Sequence, residues 1–175
     1  MNLELMAMRF LRWQKRCCIV VCERSPREWT CGKPDVLGVT QSRCLLEIEV
    51  KRSLSDFKAD FTKRSRNRAV RELIGDKLPK QFWYLVPCEL LKKVEPLVPD
   101  WAGLMRGPGR NEPQAVSVVK PAPTNPEHQR LTVRECCRLV LMVNNHALSN
   151  AERYAALTET FEHGYSCWPN PDFQI

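Results

Sequence analysis

The sequence predicts an α/β fold in which a mixed β-sheet is flanked by helices and followed by a C-terminal helical hairpin. Three observations lead there. Short apolar, β-branched runs alternate with turn residues in the first half of the chain. A segment with helical apolar spacing separates the third run from the fourth, as a right-handed crossover between parallel strands requires. Two capping-box starts, Thr132-x-x-Glu135 and Ser149-x-x-Glu152, open the helices of the hairpin.

Residues 3–14 place Leu3, Met6, Met8, Phe10, Leu11 and Trp13 at imperfect helical spacing and predict a first helix. Cys17 to Cys22 reads as a buried strand. Ser25-Pro26 and Gly32-Lys33-Pro34 punctuate the chain, and Asp35 to Thr40 reads as a second strand. After the turn Gln41-Ser42-Arg43, Cys44 to Lys51 is the clearest strand. Its Leu46, Ile48 and Val50 share one face, and Glu47, Glu49 and Lys51 share the other. Ser53-x-x-Asp56 caps the crossover helix, expected from about Ser55 to Leu73. Phe82 to Val86 is another buried strand. Glu89 to Val94 is a short helix stopped by Pro96 and Pro99. Gly107 to Pro113 is a loop, and Ala115 to Lys120 is a last strand. Pro121, Pro123 and Pro126 mark a linker, so residues 1–125 are read as the core and 126–175 as linker and hairpin extension. The hairpin carries Cys136, Leu139, Val140, Met142 and Val143, more apolar surface than it can hide alone. It therefore packs on the core or forms a homodimer or partner interface.

The composition narrows the function classes. The chain has 175 residues, of which 43% are hydrophobic, enough for a packed core. No apolar run approaches the ~20 residues of a membrane span. Met1-Asn2-Leu3-Glu4 lacks the basic start of a signal peptide, so a cytoplasmic protein is expected. The nine cysteines include the vicinal pairs Cys17-Cys18 and Cys136-Cys137 and no C-x-x-C, which argues for reduced thiols and against structural zinc. His128, His146 and His163 have no metal-ligand spacing and are read as solvent or cap residues. Trp13, Trp83 and Trp101 are read as core in preference to base-stacking platforms. The net charge of +7 permits a nucleic-acid partner. Six of the basic residues, Lys58, Lys63, Arg64, Arg66, Arg68 and Arg71, crowd the crossover helix, where they form either a solvated face or a phosphate-binding surface.

Hydrolysing a phosphodiester near neutral pH requires activating a water, neutralising a leaving alkoxide and stabilising the charge of the transition state. A carboxylate-held Mg²⁺ and a lysine can do this together, with Mn²⁺ expected to substitute. Asp35 opens one strand. Glu49 and Lys51 lie ~6.5–7 Å apart on the same face of the next. If the strands pair, Asp35 comes beside Glu49 to share one metal, with the Val50 carbonyl as a further oxygen ligand and Glu47 as an extra acid. The same Glu-x-Lys alternation is also the ordinary pattern of a solvated sheet face.

The segments Pro34-Asp35 and Glu49-Val50-Lys51 resemble the signature of the PD-(D/E)XK nuclease superfamily. The continuation Ser53, Asp56-Phe57 and Asp60, the strand Phe82-Trp83-Tyr84-Leu85-Val86-Pro87 and the turn Pro99-Asp100-Trp101-Ala102-Gly103-Leu104 resemble bacterial and phage DNA-repair-type members. The resemblance covers about residues 1–125. It implies a restriction-endonuclease-like core, Asp35 and Glu49 as metal ligands, Lys51 as the catalytic lysine and Glu4 as an acid from the first helix. The chain departs from these proteins after Asp60, where Phe61-Thr62-Lys63-Arg64-Ser65-Arg66-Asn67-Arg68 replaces an aromatic-rich helix. The expectation is a Mg²⁺-dependent endonuclease acting on DNA in repair, restriction or a mobile element. RNA is a further candidate substrate, and a non-catalytic nucleic-acid-binding or assembly subunit on the same fold is the alternative.

Replacing Arg64, Arg66 and Arg68 together with Ala is expected to weaken DNA binding and flatten its salt dependence, because fewer counterions are released. A titration at several salt concentrations reads this directly, and an unchanged slope would place the DNA elsewhere.

Overall fold

The structure is a computed structural model that describes residues 2–22, 34–60 and 78–164, with side chains omitted at 146 and 150–164. Its centre is a six-stranded sheet: β1 (Ile19–Cys22), β2 (Val36–Val39), β3 (Leu45–Val50), β4 (Gln81–Val86), β5 (Gly103–Arg106) and β6 (Ser117–Lys120). Spatial order follows chain order. β1, β2 and β3 form an antiparallel meander. β3, β4 and β5 are parallel, and β6 returns antiparallel on β5. The sheet is therefore mixed, and β3 joins its two halves.

Helix α1 (Leu3–Arg9) begins where the Asn2 side chain accepts the Leu5 N–H at 2.9 Å. It lays Leu3, Met6 and Ala7 on one face of the sheet, against Leu46, Ile48, Val50 and Leu85. The other face is covered by helix α2, described over 54–60, whose Phe57 is fully buried against Phe82, Tyr84 and Leu104. With helices on both sides, all six residues of β3 are buried, as expected of a strand in the parallel part of a sheet. The expected basic crossover helix begins as α2. Its Lys63, Arg64, Arg66, Arg68 and Arg71 lie outside the described residues, as do Cys31 and Cys167.

β5 was not expected. Only four residues long, it follows a turn in which Ala102 N–H donates to Pro99 O at 3.1 Å, and so short a run carries no periodicity of its own. It pairs with β4 because Gly103 lets the chains approach. A methyl there would collide with the Trp83 indole ring and lie 2.7 Å from the Ala122 amide nitrogen. A short helical stretch precedes this turn, with helix α3 (Leu91–Val94) between single 3₁₀ turns.

The proline-containing segment after β6 is tied to the sheet. Gln81 Nε2 donates to Ala122 O at 2.9 Å, Asn125 N–H to Lys80 O at 2.8 Å and Leu131 N–H to Arg43 O at 2.8 Å. The expected C-terminal hairpin is instead one helix, α4 (Val133–Gly164). Its capping box forms as read: Glu135 N–H donates to Thr132 Oγ1 at 3.2 Å, and Thr132 N–H to Glu135 Oε2 at 2.6 Å. Ser149 caps nothing because the residues before it stay helical. No Gly or Pro stands between Val133 and Phe161 to stop the helix. The chain divides into two compact units, Met1–Leu139 and Val140–Ile175. Among the described residues no helix is long and apolar enough to cross a membrane.

Gly103→Ala is expected to destabilise the protein by about 1–3 kcal/mol, the usual cost of overpacking, because indole and backbone confront the new methyl together. Gly38→Ala should cost less, since its methyl would meet the Cys17 Sγ and Leu11 side-chain atoms instead. Urea unfolding of the two variants beside the parent checks the ranking.

Candidate active site

Antiparallel pairing sets Val36 opposite Ile48 and Leu37 opposite Glu47. One step further along the same register, Asp35 faces Glu49. Asp35 Oδ2 accepts the Val50 N–H at 2.8 Å, which anchors the start of β2 to the end of β3. The Asp35 and Glu49 carboxyl groups also come within hydrogen-bonding range of each other. Burial pushes the Asp35 pKa above its ordinary value, against the opposing pull of the Val50 amide and Lys51. Two carboxyl groups this close offer oxygen ligands that a cation between them could share.

The polar row on β3 is not a solvated face. Glu47 is 2% exposed, Glu49 7% and Lys51 6%. These side chains lie on the sheet face that α2 covers, so each charge needs a partner. Lys51 Nζ donates to Glu49 Oε2 at 3.3 Å and to Asp60 Oδ1 at 3.0 Å. Burial alone would lower the Lys51 pKa, but the Glu49 charge and the bond to Asp60 outweigh it and hold the ammonium firmly protonated. Asp60 Oδ2 in turn accepts the Tyr84 hydroxyl at 3.1 Å. A buried chain therefore runs from Tyr84 through Asp60 and Lys51 to Glu49, fixing the ammonium beside the carboxyl pair.

Asp60 and Tyr84 were not singled out as site residues from the sequence. A signal was present for Asp60: it follows the fully buried Phe57 by three residues on α2 and so shares its inward face. Tyr84 faces Glu49 across the parallel β3–β4 pair, a register that no local pattern encodes.

Structure brings Asp35, Glu49 and Lys51 together and leaves the other candidates at different distances from them. Glu4 lies close enough for its charge to act on Asp35, but both its oxygens accept from Arg52 Nη2, at 2.8 and 2.7 Å. Glu47 is buried two residues before Glu49 on the same face. Val50, whose amide Asp35 holds, ends β3 between the two key residues. Lys58 is exposed on α2. Among the described residues no group of three or more His, Cys, Asp or Glu side chains is arranged to hold a metal. The residues that could hold one are the carboxyl pair Asp35 and Glu49, whose oxygens are ligands of the kind hard divalent cations take.

The remaining motifs resolve as structural. His128 Nδ1 lies 2.7 Å from Asn125 O in a turn. In the Gly107–Pro113 loop, Glu112 accepts the Gly109 N–H at 3.0 Å and pairs with Arg106. Cys17, Cys18, Cys44, Cys88, Cys136 and Cys137 are free thiols, and burial pushes Cys17 up to about 11. Trp83 is core, but Trp101 is 38% exposed and Trp13 74% exposed. Trp13 departs from the expected core role because α1 ends at Arg9 and the π turn Phe10–Gln14 that follows carries it to solvent.

Removing the Tyr84 hydroxyl in Tyr84→Phe should cost about 0.5–1.5 kcal/mol, the worth of one hydrogen bond. Asp60→Ala should cost more, about 1.5–3 kcal/mol, because it strips a charge-assisted partner from a buried ammonium. Chemical denaturation of both single variants and the double variant checks the chain: a connected network makes the combined loss non-additive.

No protein-family model matches the chain, and no curated protein matches it. Among solved structures it is similar to the SPO1766 protein of unknown function from Silicibacter pomeroyi. The two share 21% identity over 97% of this chain and 92% of that one, with a TM-score of 0.54. The similarity is one of fold.

Proposed function

We propose that the chain is a Mg²⁺-dependent nuclease with a restriction-endonuclease-like core, hydrolysing phosphodiester bonds in DNA. The observation that carries this reading is the convergence of half-buried Asp35 with buried Glu49 and Lys51 at the shared end of β2 and β3. Binding nucleic acid alone does not require an ammonium and a carboxyl pair to be held together at one strand end, whereas metal-assisted hydrolysis does. The order α1, antiparallel meander, α2, parallel β4 agrees with the fold implied by the PD-(D/E)XK resemblance.

In this reading Asp35 and Glu49 hold the metal, with the Val50 carbonyl as a further ligand. The bound ion supplies Lewis-acid polarisation of the phosphate and a water of lowered pKa. Lys51 supplies a cation whose position does not depend on substrate, because Glu49 and Asp60 already hold it. A charge fixed in advance stabilises the developing negative charge without reorganisation when the bond breaks. Tyr84 keeps Asp60 oriented for this task. Arg52, the residue after Lys51, pairs with Glu4 of α1. The net positive charge of +7 and the basic run after Asp60 favour a polyanionic substrate.

Plasmid nicking with Mg²⁺, Mn²⁺ and EDTA tests the reading. The parent should cut with either ion and stop in EDTA. Lys51→Ala should bind DNA nearly as well yet cut ~10²–10³-fold more slowly. Lys51→Arg should not rescue, because the planar guanidinium cannot replace a compact ammonium between two carboxylates. If Lys51→Ala is folded and cuts as fast as the parent, the assignment is wrong and the chain is a binding module on this fold.

A further inference from the structure

A tryptophan can bury some 150–250 Å² and is among the side chains that gain most from a core. Trp13 is instead 74% exposed. Its backbone is nevertheless firmly built. After α1 the chain widens into a π turn, Phe10–Gln14, in which Lys15 N–H donates to Phe10 O at 3.1 Å. Phe10 and Leu11, next to Trp13, are 4% and 0% exposed and anchor the turn in the core. The turn ends with Arg16 in the left-handed region at φ 54°. Arg12 Nη1 locks this exit by donating to Cys17 O and Cys18 O, both at 3.0 Å. The indole is therefore presented to solvent from a fixed support. Widened turns of this kind are rare and frequent at functional sites.

The flanking sequence is of one sign. Arg9, Arg12 and Arg16, each within four positions of Trp13, are exposed, and Lys15 lies 4.8 Å from the Trp83 ring centroid. No acid occurs between Glu4 and Glu23 in the sequence. An exposed aromatic face among cations matches the two demands of a single nucleic-acid strand, whose bases stack and whose phosphates need positive charge. In a duplex the base faces are already stacked on one another, so a lone indole gains little there. Helix α1, which leads into this turn, reaches the candidate active site at its other end, where Glu4 pairs with Arg52, the residue after Lys51, at 2.7 Å. Glu4 and Trp13 are nine residue steps apart along α1 and the π turn, roughly 13 Å at the α-helical rise, the length of a few nucleotides of strand.

We propose that Trp13, with Arg9 and Arg16, is a stacking platform for single-stranded DNA leading to or from the candidate active site. The choice of ligand rests on the nuclease reading.

The test is fluorescence anisotropy of labelled dT15 with the full chain in EDTA, where no cutting occurs, beside a duplex of equal length. Trp13→Ala should weaken dT15 binding on the order of tenfold, as loss of one stacked base does, and leave the duplex nearly unchanged. Trp13→Phe should keep most of the affinity. Arg9→Ala with Arg16→Ala should lower the salt slope by about 1.4, at ~0.7 per phosphate contact on a single strand. Parental dT15 affinity in a folded Trp13→Ala protein overturns the platform, as does an equal loss for strand and duplex. So does a variant whose only change, by sedimentation, is loss of self-association, since a second copy would then cover the indole. The two readings fail separately. Binding through Trp13 without nicking in Mg²⁺ or Mn²⁺ removes the nuclease alone, and nicking with Trp13-independent binding removes the platform alone.

Discussion

The ion pair between Lys51 and Asp60 is the contact around which this fold is arranged. Both groups are nearly inaccessible, at 6% and 7% exposure, and neither would be stable there alone. Asp60 comes from the crossover helix and Lys51 from the end of the central strand, so satisfying them fixes where α2 lies across the sheet. Phe57 supplies the apolar part of that contact, packing edge-on to Tyr84 with ring centroids 4.8 Å apart. The Tyr84 hydroxyl then completes Asp60 from β4. Three consecutive elements are thus joined by one polar chain and one aromatic pair.

The same constraint explains why β3 is the hinge of the topology. It is antiparallel to β2 on one side and parallel to β4 on the other. The antiparallel side brings Asp35 across to Glu49, because a three-residue turn returns the chain at once. The parallel side brings Tyr84 across to Glu49, because the crossover lets β4 run in the same direction. Neither side alone would assemble both the carboxyl pair and the chain that steadies the lysine. Such convergence at strand ends is where α/β proteins commonly place their chemistry.

Helix α1 has a double role. Its apolar stripe seals the opposite face of the sheet, with Phe10 meeting Trp83 edge-on at 6.0 Å between centroids. Its N-terminal end sets the Glu4–Arg52 pair at the border of the site. Its C-terminal end unwinds into the π turn that carries Trp13 outward. Leu3 in the helix and Leu11 in the turn that follows are both buried almost completely, which anchors each end to the core.

Period-two alternation from Cys44 to Lys51, a proline–aspartate start to the preceding strand and a short turn between them were sufficient in sequence to set Asp35, Glu49 and Lys51 at neighbouring places. These are local signals, and strand geometry converts them into distances. The sequence also determined the mixed α/β class, the meander and the Thr132–Glu135 cap. It could not distinguish a solvated charged face from a buried one, because the alternation is identical and only α2 decides it. Tyr84 required the parallel register, and β5 required the close approach allowed by Gly103 to Trp83. Trp13 was read as core from its apolar chemistry, yet the turn that ends α1 directs it to solvent. The helical hairpin became one helix because a capping sequence at Ser149 acts only where the preceding chain has already left the helix. Each of these outcomes depends on partners distant in the chain or on the path of the backbone, which only the tertiary structure supplies.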